Sequence, residues 1–397
     1  MKIGLLREGK IPIDRRVPLT PKQSSQLSNL YNVEVVVQPS DIRAYSNQEY
    51  EENNIKLQEN VEDCDVLLGV KEVPIHELIP NKTYFFFSHT FKKQPYNAQL
   101  LKACVHKGIR LIDYELLKRN GNRVVAFGRF AGLVGAYNAL RGWGEKTGDF
   151  SLKPAYDCFD LAEMFSQLNN KGWSKQLRII LTGSGRVAQG AVETLVASGI
   201  PKVTADQVAT TVGPFWAQLD VEEYYRPIGG GSVNRSELFQ DPTNFESNFM
   251  AYAKHAHLYI AGHYYDSRAP FIFTREDAKQ KEFAIRYVAD ISCDIDGPVA
   301  STLRPSTIEH PFYGYMAAEE KEVTHDQESS IGVMAVDNLP CELPRDASES
   351  FGKDMLKHVI PALFNGDEDG VLKGATECSG GSLTADFSYL QDYIDQA

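Results

Sequence analysis

The chain has 397 residues, of which 43% are hydrophobic and 24% are charged, and its formal net charge is −12. This length allows two domains with separate cores, and the composition is that of an ordinary globular protein. The acidic balance argues against general binding to nucleic acid or to anionic membranes, so an anionic substrate requires a local group of basic residues. The N-terminal apolar run is too short for a signal peptide, and the six cysteines lack zinc-binding spacing. We therefore expect a cytoplasmic protein without a metal site.

The first third of the chain alternates apolar segments with helical patterns, which favours a parallel sheet. A helix rich in small residues is predicted at 129–144, and a second α/β run begins at Ile179. The predicted strands of the first run are Ile3–Leu6, Val33–Val37, Val66–Val70, Tyr84–Ser88 and Ile109–Asp113, and those that follow Ile179 are Leu258–Ala261 and Ala284–Asp290. Two α/β domains are therefore predicted.

A glycine turn follows the strand at Ile179 and opens an amphipathic helix, which is the context that a dinucleotide-binding G-x-G-x-x-G/A turn requires. Gly183 allows the tight turn, Gly185 lets a pyrophosphate approach the helix N-terminus, and Ala188 is an allowed third position. An ordinary strand–helix junction is the alternative. The predicted cofactor-binding residues of this turn are Gly183, Ser184, Gly185, Arg186 and Val187.

The acid that should bind the cofactor ribose about 20 residues later is not obvious. Asp206 is the acid in the window 202–211, but it follows a weak strand, and Lys202 and Arg186 are close in sequence. Asp206 is therefore the candidate ribose-binding residue, and the expected cofactor is NAD or NADP with NADPH slightly favoured.

Basic and titratable residues follow the strands of the first run. Lys71 ends one apolar strand and His89 ends the next, so both are expected at the carboxyl edge of a parallel sheet, where ligands bind. A structural histidine is the alternative for His89. A basic cluster, for which solvated surface charge is the alternative, comprises Arg7, Lys10, Arg15 and Arg16. In the second run, one of the acids within Asp290–Asp296 is a candidate to face the cofactor, and a calcium-like turn or plain loop acids are the alternatives.

Several motifs occur in the order typical of a known family, and they cover nearly the whole chain. The chain resembles the lysine-forming saccharopine dehydrogenase and lysine–ketoglutarate reductase family, whose members are relatives of alanine dehydrogenase. The motifs are RRVPLTPKQ (Arg15–Gln23), GVKEVP (Gly69–Pro74), FFSHTFKKQ (Phe86–Gln94), RLIDYELL (Arg110–Leu117), RVVAFGRFAG (Arg123–Gly132), DISCD (Asp290–Asp294), TIEHPF (Thr307–Phe312) and VDNLPCELPRDAS (Val336–Ser348).

The resemblance implies an α/β fold of two Rossmann-like, doubly wound parallel-sheet domains with a cleft between them. Residues 1–128 plus 331–397 would form the substrate domain and residues 129–330 the dinucleotide-binding domain. Lys71 and His89 correspond to the acid–base pair, and Asp294 to an acid beside the nicotinamide. The residues that correspond to the substrate site are Arg16, Glu72, Lys92, Glu115 and Arg123.

The reaction implied by the resemblance is the reversible, NAD(P)H-dependent condensation of L-lysine with 2-oxoglutarate to saccharopine. Reductive amination of a small 2-oxo acid, as in alanine dehydrogenase, and a catalytically silent NAD(P)-binding protein are the alternatives. The expected partners are these small molecules, and the sequence leaves open whether the chain is a monomer or a homo-oligomer.

Overall fold

The computed structural model describes residues 1–169 and 171–397, and the chain divides into two compact units. The first unit comprises Met1–Phe127 and Pro344–Ala397, and the second comprises Gly128–Leu343. In chain order the strands are β1 (Lys2–Leu5), β2 (Glu34–Val37), β3 (Lys56–Leu57), β4 (Val66–Leu68), β5 (Thr83–Phe86), β6 (Arg110–Asp113), β7 (Lys118–Arg119), β8 (Asn122–Arg123), β9 (Arg178–Thr182), β10 (Lys202–Val203), β11 (Phe215–Leu219), β12 (Tyr225–Pro227), β13 (Phe245–Ser247), β14 (Leu258–Ala261), β15 (Tyr287–Asp290), β16 (Phe312–Met316), β17 (Lys321–Val323), β18 (Ile331–Met334), β19 (Thr376–Ser379) and β20 (Ser382–Leu383). The α-helices are α1 (Pro21–Tyr31), α2 (Asn47–Glu52), α3 (Ala98–His106), α4 (Gly128–Thr147), α5 (Leu161–Ser166), α6 (Arg186–Ala197), α7 (Val221–Tyr224), α8 (Arg235–Gln240), α9 (Met250–Ala253), α10 (Arg275–Ala278), α11 (Pro344–Asp354) and α12 (Gln391–Asp395).

The first unit contains an eight-stranded sheet in the order β20-β19-β6-β5-β4-β1-β2-β3. The strands from β6 to β3 pair in parallel, whereas β19 joins β6 in the antiparallel sense. Because these parallel strands share a direction, the loops that follow β1, β4, β5 and β6 leave the sheet at the same edge. This edge carries the candidate catalytic and substrate-binding residues.

The second unit contains another eight-stranded sheet, in the order β10-β11-β9-β14-β15-β18-β16-β17. The strands from β10 to β18 run parallel, and β16 and β17 complete the sheet in the antiparallel sense. Two largely parallel sheets with intervening helices confirm the predicted α/β, Rossmann-like class. In the described part of the chain, every helix is too short or too polar to cross a bilayer.

Residues 331–343 lie in the second unit, whereas the sequence prediction assigned them to the substrate domain. The physical reason is strand pairing, because β18 pairs in parallel with β15 and antiparallel with β16. The apolar segment Ile331–Met334 therefore extends the second sheet, and the return to the first unit begins at Pro344.

The helix predicted from Ala347 to Leu363 is a series of three helical segments. α11 is followed by a π-helical turn, Met355–Val359, and then by a 3₁₀ turn, Ile360–Leu363. Pro361 explains the change, because proline has no N–H to donate and its ring clashes with the preceding turn of an α-helix.

Glycines allow α4 and α6 to approach closely in the second unit. A Cβ atom built on Gly190 of α6 would lie 1.9 Å from the carbonyl oxygen of Arg129, and one on Gly132 of α4 would lie 1.8 Å from that of Val187. The backbones of the two helices are thus in contact at both glycines. This packing supports the helix that begins at the glycine turn.

We expect Gly190→Ala to destabilise the second unit by about 1–3 kcal/mol, because the new methyl group forces the two helix backbones apart. Urea unfolding monitored by circular dichroism measures this change. Gly172→Ala is the control, since a Cβ there has no heavy atom within 4 Å, and its expected effect is within about 0.5 kcal/mol. Equal stability of the two variants would contradict the close packing.

Candidate active site and cofactor-binding turn

His89 follows β5 and is held by an ionised glutamate. Its Nδ1 lies 3.1 Å from Oε1 of Glu72, and Lys10 donates to the other oxygen of Glu72 at 2.6 Å. Burial alone would raise the pKa of Glu72, but the hydrogen bonds from His89 and Lys10 lower it to about 2. Because a carboxylate can only accept a hydrogen bond, Nδ1 must carry the hydrogen that it donates to Glu72. Nε2 is therefore the histidine nitrogen suited to exchange protons with a substrate.

Lys71 follows β4, on a loop that Glu8 fixes. The two side-chain oxygens of Glu8 accept the backbone N–H groups of Val70 at 2.7 Å and Lys71 at 2.8 Å. Burial and the nearby charge of Asp14 raise the pKa of Glu8 to about 8. Lys71 in turn acts electrostatically on Asp14. The loops after β1 and β4 are therefore tied together at the position of Lys71.

Arg16 is buried and its guanidinium forms a two-point ion pair with Asp14. Nε donates to Oδ1 at 3.0 Å and Nη2 to Oδ2 at 2.6 Å, and the guanidinium lies 4.1 Å from the centre of the Phe127 ring. Burial opposes ionisation of Asp14, but the charge and hydrogen bonds of Arg16 hold its pKa well below the usual range. This rigid pairing fixes the orientation of the guanidinium at the site.

Lys92, Glu115 and Arg123 form a second charged group. Lys92 donates to Oε1 of Glu115 at 2.8 Å, and Nη1 of Arg123 lies 3.5 Å from the same oxygen. The guanidinium of Arg123 also lies 5.8 Å from the centre of the Phe87 ring. Two cations thus share one carboxylate, which leaves this group with net positive charge.

Two aromatic rings link the charged groups of the first unit. The ring of Phe87 stacks with His89 at 6.3 Å and packs against Phe127 at 5.9 Å. Phe87 also contacts Arg123, while Phe127 contacts Arg16. The structure therefore brings the residues predicted from this half of the sequence together at one edge of the first sheet. The other two arginines of the basic cluster have different partners. Arg7 donates to Glu59, and Arg15 donates to the carbonyl oxygen of Ile42.

The glycine turn has the backbone geometry that close approach of a phosphate requires. Gly183 has φ of +101°, and a Cβ there would lie 2.7 Å from the carbonyl oxygen of Gly262, so only glycine fits. Gly185 caps the N-terminus of α6, and a Cβ atom built on it would have no heavy atom within 4 Å. Ser184, Arg186 and Val187 complete this turn and the start of α6. Open backbone at a helix N-terminus suits a pyrophosphate.

The acid at the end of the neighbouring strand is Asp220 and not Asp206. Asp220 follows β11, which pairs directly with β9, whereas Asp206 lies in a 3₁₀ turn after β10, the outermost strand. Asp220 accepts a hydrogen bond from Ser184 at 3.1 Å and pairs with Arg235 at 2.8 Å. Burial alone would raise the pKa of Asp220. The interactions with Arg235, the Val221 N–H and Ser184 outweigh burial and lower this pKa.

A cavity of about 390 Å³ lies over this turn, and Asp220 and His263 line it. His263 is 7% exposed and its Nδ1 lies 2.8 Å from the hydroxyl of Thr182. Its Nε2 has no hydrogen-bond partner among the described residues. Burial lowers the pKa of His263 to about 4, so the ring is neutral at neutral pH. A nucleotide therefore fits here both in backbone shape and in polar groups.

Asp294 lies on the loop that follows β15. The loop is fixed by Asp290, whose buried carboxylate accepts from the backbone and hydroxyl of Ser292 at 3.1 and 2.6 Å and from Thr302 at 2.7 Å. Asp294 itself is exposed. It is thus at the carboxyl edge of the same sheet as the glycine turn.

Sequence reasoning missed four acids that shape these sites. The signal for Asp220 was the apolar run just before it, but it lies farther along the chain than the usual spacing of about 20 residues. The other three are recognisable only from spatial neighbours and hydrogen bonds that no local pattern reveals. They are Asp14, Asp113 and Glu377.

Comparison with known proteins relates the chain to enzymes of lysine metabolism. Residues 4–134 match the family model for the N-terminal domain of alanine dehydrogenase/PNT. The mitochondrial alpha-aminoadipic semialdehyde synthase of Rattus norvegicus is 29% identical over 449 residues, covering 98% of this chain and 47% of the rat protein. Saccharopine dehydrogenase [NAD(+), L-lysine-forming] of Neurospora crassa is 24% identical, covering 89% of this chain and 90% of the fungal protein.

Solved structures show the same fold. An L-alanine dehydrogenase matches with a TM-score of 0.68 at 15% identity, covering 100% of this chain and 99% of the other. A transhydrogenase from Sinorhizobium meliloti matches with a TM-score of 0.59 at 15% identity, covering 97% and 100%. The chain spans about half the length of the semialdehyde synthases. It is a homologue of these synthases and of the lysine-forming saccharopine dehydrogenases, and it has the alanine dehydrogenase fold.

Proposed function

We propose that this protein is an NAD(H)-dependent oxidoreductase that condenses L-lysine with 2-oxoglutarate to saccharopine, and catalyses the reverse reaction. The observation that carries the proposal is the grouping of Lys71, His89 and Arg16 at one sheet edge of the first unit. A dinucleotide-binding turn in the second unit and the homologues of lysine metabolism support it.

The reaction forms and reduces a carbon–nitrogen double bond. The ε-amine of lysine attacks the keto carbon of 2-oxoglutarate, and loss of water from the carbinolamine gives an imine. NADH, when held at the turn of Gly183 and Gly185, would supply a hydride for the imine carbon, and a proton transferred to nitrogen would complete the secondary amine. His89 and Lys71 are proposed to transfer the protons of carbinolamine formation and dehydration, because an imidazole and an amine can each donate and accept a proton.

The charges around this pair suit a dicarboxylic keto acid and an amino acid. Arg16 and Arg123 offer planar guanidinium groups that match carboxylates, and Lys92 adds a point charge. Glu72 and Glu115 balance these cations and provide the negative charge that a substrate ammonium requires. A chain with a net charge of −12 thus concentrates cations where anionic substrates would bind.

The cofactor preference proposed here reverses the one expected from the sequence. Asp220 is proposed to accept the adenosine ribose hydroxyls, because it ends the strand beside β9. Glu222 also pairs with Arg235, so two carboxylates face one guanidinium. The carboxylate of Asp220 would repel the 2′-phosphate of NADPH, since both would lie at the adenosine ribose. NADH is accordingly the preferred cofactor.

The proposed activity is tested by the oxidation of NADH in the presence of L-lysine and 2-oxoglutarate. We expect turnover with both substrates and loss of turnover when either is omitted. Pyruvate with ammonia, the substrates of an alanine-dehydrogenase type of reaction, is the comparison. Faster turnover with pyruvate and ammonia would overturn the proposed substrates.

Lys71→Met and His89→Gln should each lower kcat by about 10²–10⁴-fold, since each removes a proton-transfer group. Steady-state kinetics with purified variants measure the loss. Lys22→Met and His76→Gln are the matched controls, because both residues are exposed and lie outside the site, and their kcat should equal that of the wild type. A loss below about threefold would remove either residue from the proposed mechanism.

The cofactor assignment predicts that kcat/KM is higher for NADH than for NADPH, and that Asp220→Ala shifts the ratio at least about tenfold towards NADPH. Tenfold corresponds to about 1.4 kcal/mol, a modest value for removing a repelling charge. Asp206→Ala is the matched control and should leave the ratio unchanged. If the Asp206 variant shifts the ratio instead, Asp206 is the ribose-binding acid.

A further inference from the structure

A buried group of two carboxyls and two hydroxyls lies directly behind the backbone of His89. Asp113 ends β6, Glu377 lies in β19, and Ser88 and Thr90 flank His89 in sequence. The side chains of all four are fully buried. The proposed reaction assigns none of them a role. We call these four residues the carboxyl cluster.

The carboxyl cluster holds His89 in an unusual backbone conformation. The φ angle of His89 is +55°, in the left-handed region that costs free energy for an L-residue with a side chain. Oδ2 of Asp113 accepts the backbone N–H groups of Ser88 at 2.9 Å and His89 at 3.1 Å. Asp113 therefore fixes the turn that sets the direction of the histidine side chain.

The hydrogen bonds of the cluster require more protons than its hydroxyls supply. Oγ of Ser88 lies 2.5 Å from Oδ2 of Asp113, 2.8 Å from Oε1 of Glu377 and 2.7 Å from Oγ1 of Thr90. Thr90 also contacts Oε2 of Glu377. These are four oxygen–oxygen contacts, and each hydroxyl supplies one hydrogen. The two hydroxyl hydrogens fill two of these contacts, so a third hydrogen bond requires a hydrogen from a carboxyl group.

The electrostatic surroundings place this proton on the carboxyl pair. Burial and the charge of Asp113 raise the pKa of Glu377 to about 8, and burial also raises that of Asp113. His89 lowers the pKa of Asp113. The other titratable groups that interact with Glu377 come from its own strand, from α3 and from the C-terminal segment; they are Cys378, Cys104, Tyr389 and Tyr393, and burial raises the pKa of each.

We propose that Glu377 is a positioning residue that remains protonated and, through Ser88 and Thr90, lets the Asp113 carboxylate hold His89 in place. The link to catalysis rests on the role proposed for His89. The inference that Glu377 keeps its proton does not depend on that role. Glu377 touches neither substrate nor cofactor in this scheme. Its ionisation would place a second negative charge in the cluster and loosen the turn.

A bound proton has a definite effect on stability. An ordinary glutamate in the unfolded chain releases its proton near pH 4.5, whereas folded Glu377 keeps it to about pH 8. The folded state thus binds more protons between these values, so stability falls as pH rises through this window. This contribution is fully present below pH 4.5 and is lost above about pH 8.

Glu377→Gln and Glu377→Ala test the proposal. Glutamine retains a donor and an acceptor without charge, so we expect kcat within about threefold of the wild type and a smaller fall in Tm between pH 5 and pH 9. Alanine removes both groups, so we expect kcat to fall more than tenfold while KM for NADH is unchanged. The NMR titration of the His89 ring should shift in Glu377→Ala and not in Glu377→Gln.

The control is Glu342→Gln, which changes a buried carboxyl in the second unit and should leave kcat and the His89 titration unchanged. An equal dependence of Tm on pH in the wild type and Glu377→Gln would overturn the inference that Glu377 keeps a proton. An unaltered His89 titration and kcat in Glu377→Ala would overturn the positioning role. If Glu377→Ala does not fold, Thr90→Val removes the hydroxyl contact to Oε2, and it should shift the His89 titration in the same way. The Tm and NMR results hold whether or not the lysine-dependent activity is found, so the two proposals fail separately.

Discussion

Parallel pairing of four neighbouring strands is the constraint on which the candidate active site depends. Since β1, β4, β5 and β6 run in the same direction, the loops after them must leave the sheet together. The separate sequence segments that carry Arg16, Lys71, His89 and Glu115 are thereby brought to one edge. Acidic side chains then set the local geometry, because Asp14, Glu8, Glu72 and Asp113 each hold one of these loops by its backbone or side chain.

The two sites use acidic residues in different ways. In the first unit, acids are paired with cations or share protons, so the groups proposed to meet substrate are fixed before it binds. In the second unit, Asp220 and Glu222 both pair with Arg235 beside the glycine turn. Pre-set charge and backbone geometry reduce the reorganisation that binding would otherwise require. The overall acidity of the chain is therefore compatible with anionic ligands at both places.

Much of this arrangement follows from local patterns, and the rest from pairings between distant segments. The strand at Ile179, the turn at Gly183 and the helix rich in small residues are visible in sequence because periodicity and glycine spacing are local properties. Edge strands are not visible in this way, because β10 is only two residues long. β11 takes the place beside β9 that the sequence analysis assigned to the segment before Asp206. Similarly, the apolar run at Ile331 carries no indication of which sheet it will join. Glu377 and Asp113 are far apart in sequence, so only the pairing of β19 with β6 reveals that they share a cluster.

The interrupted course of the first unit has a consequence for folding during synthesis. Met1–Phe127 leaves the ribosome before the whole of Gly128–Leu343, and β19 follows only after both. Until then β6 is an exposed sheet edge, and Ser88 and Asp113 lack the partner that fills the space beside them. The second unit, which is continuous in sequence, is able to complete its own sheet in the meantime. Newly made chains should therefore pass through a state in which the nucleotide-binding half is folded and the half that carries His89 still has an open edge vulnerable to strand-to-strand association.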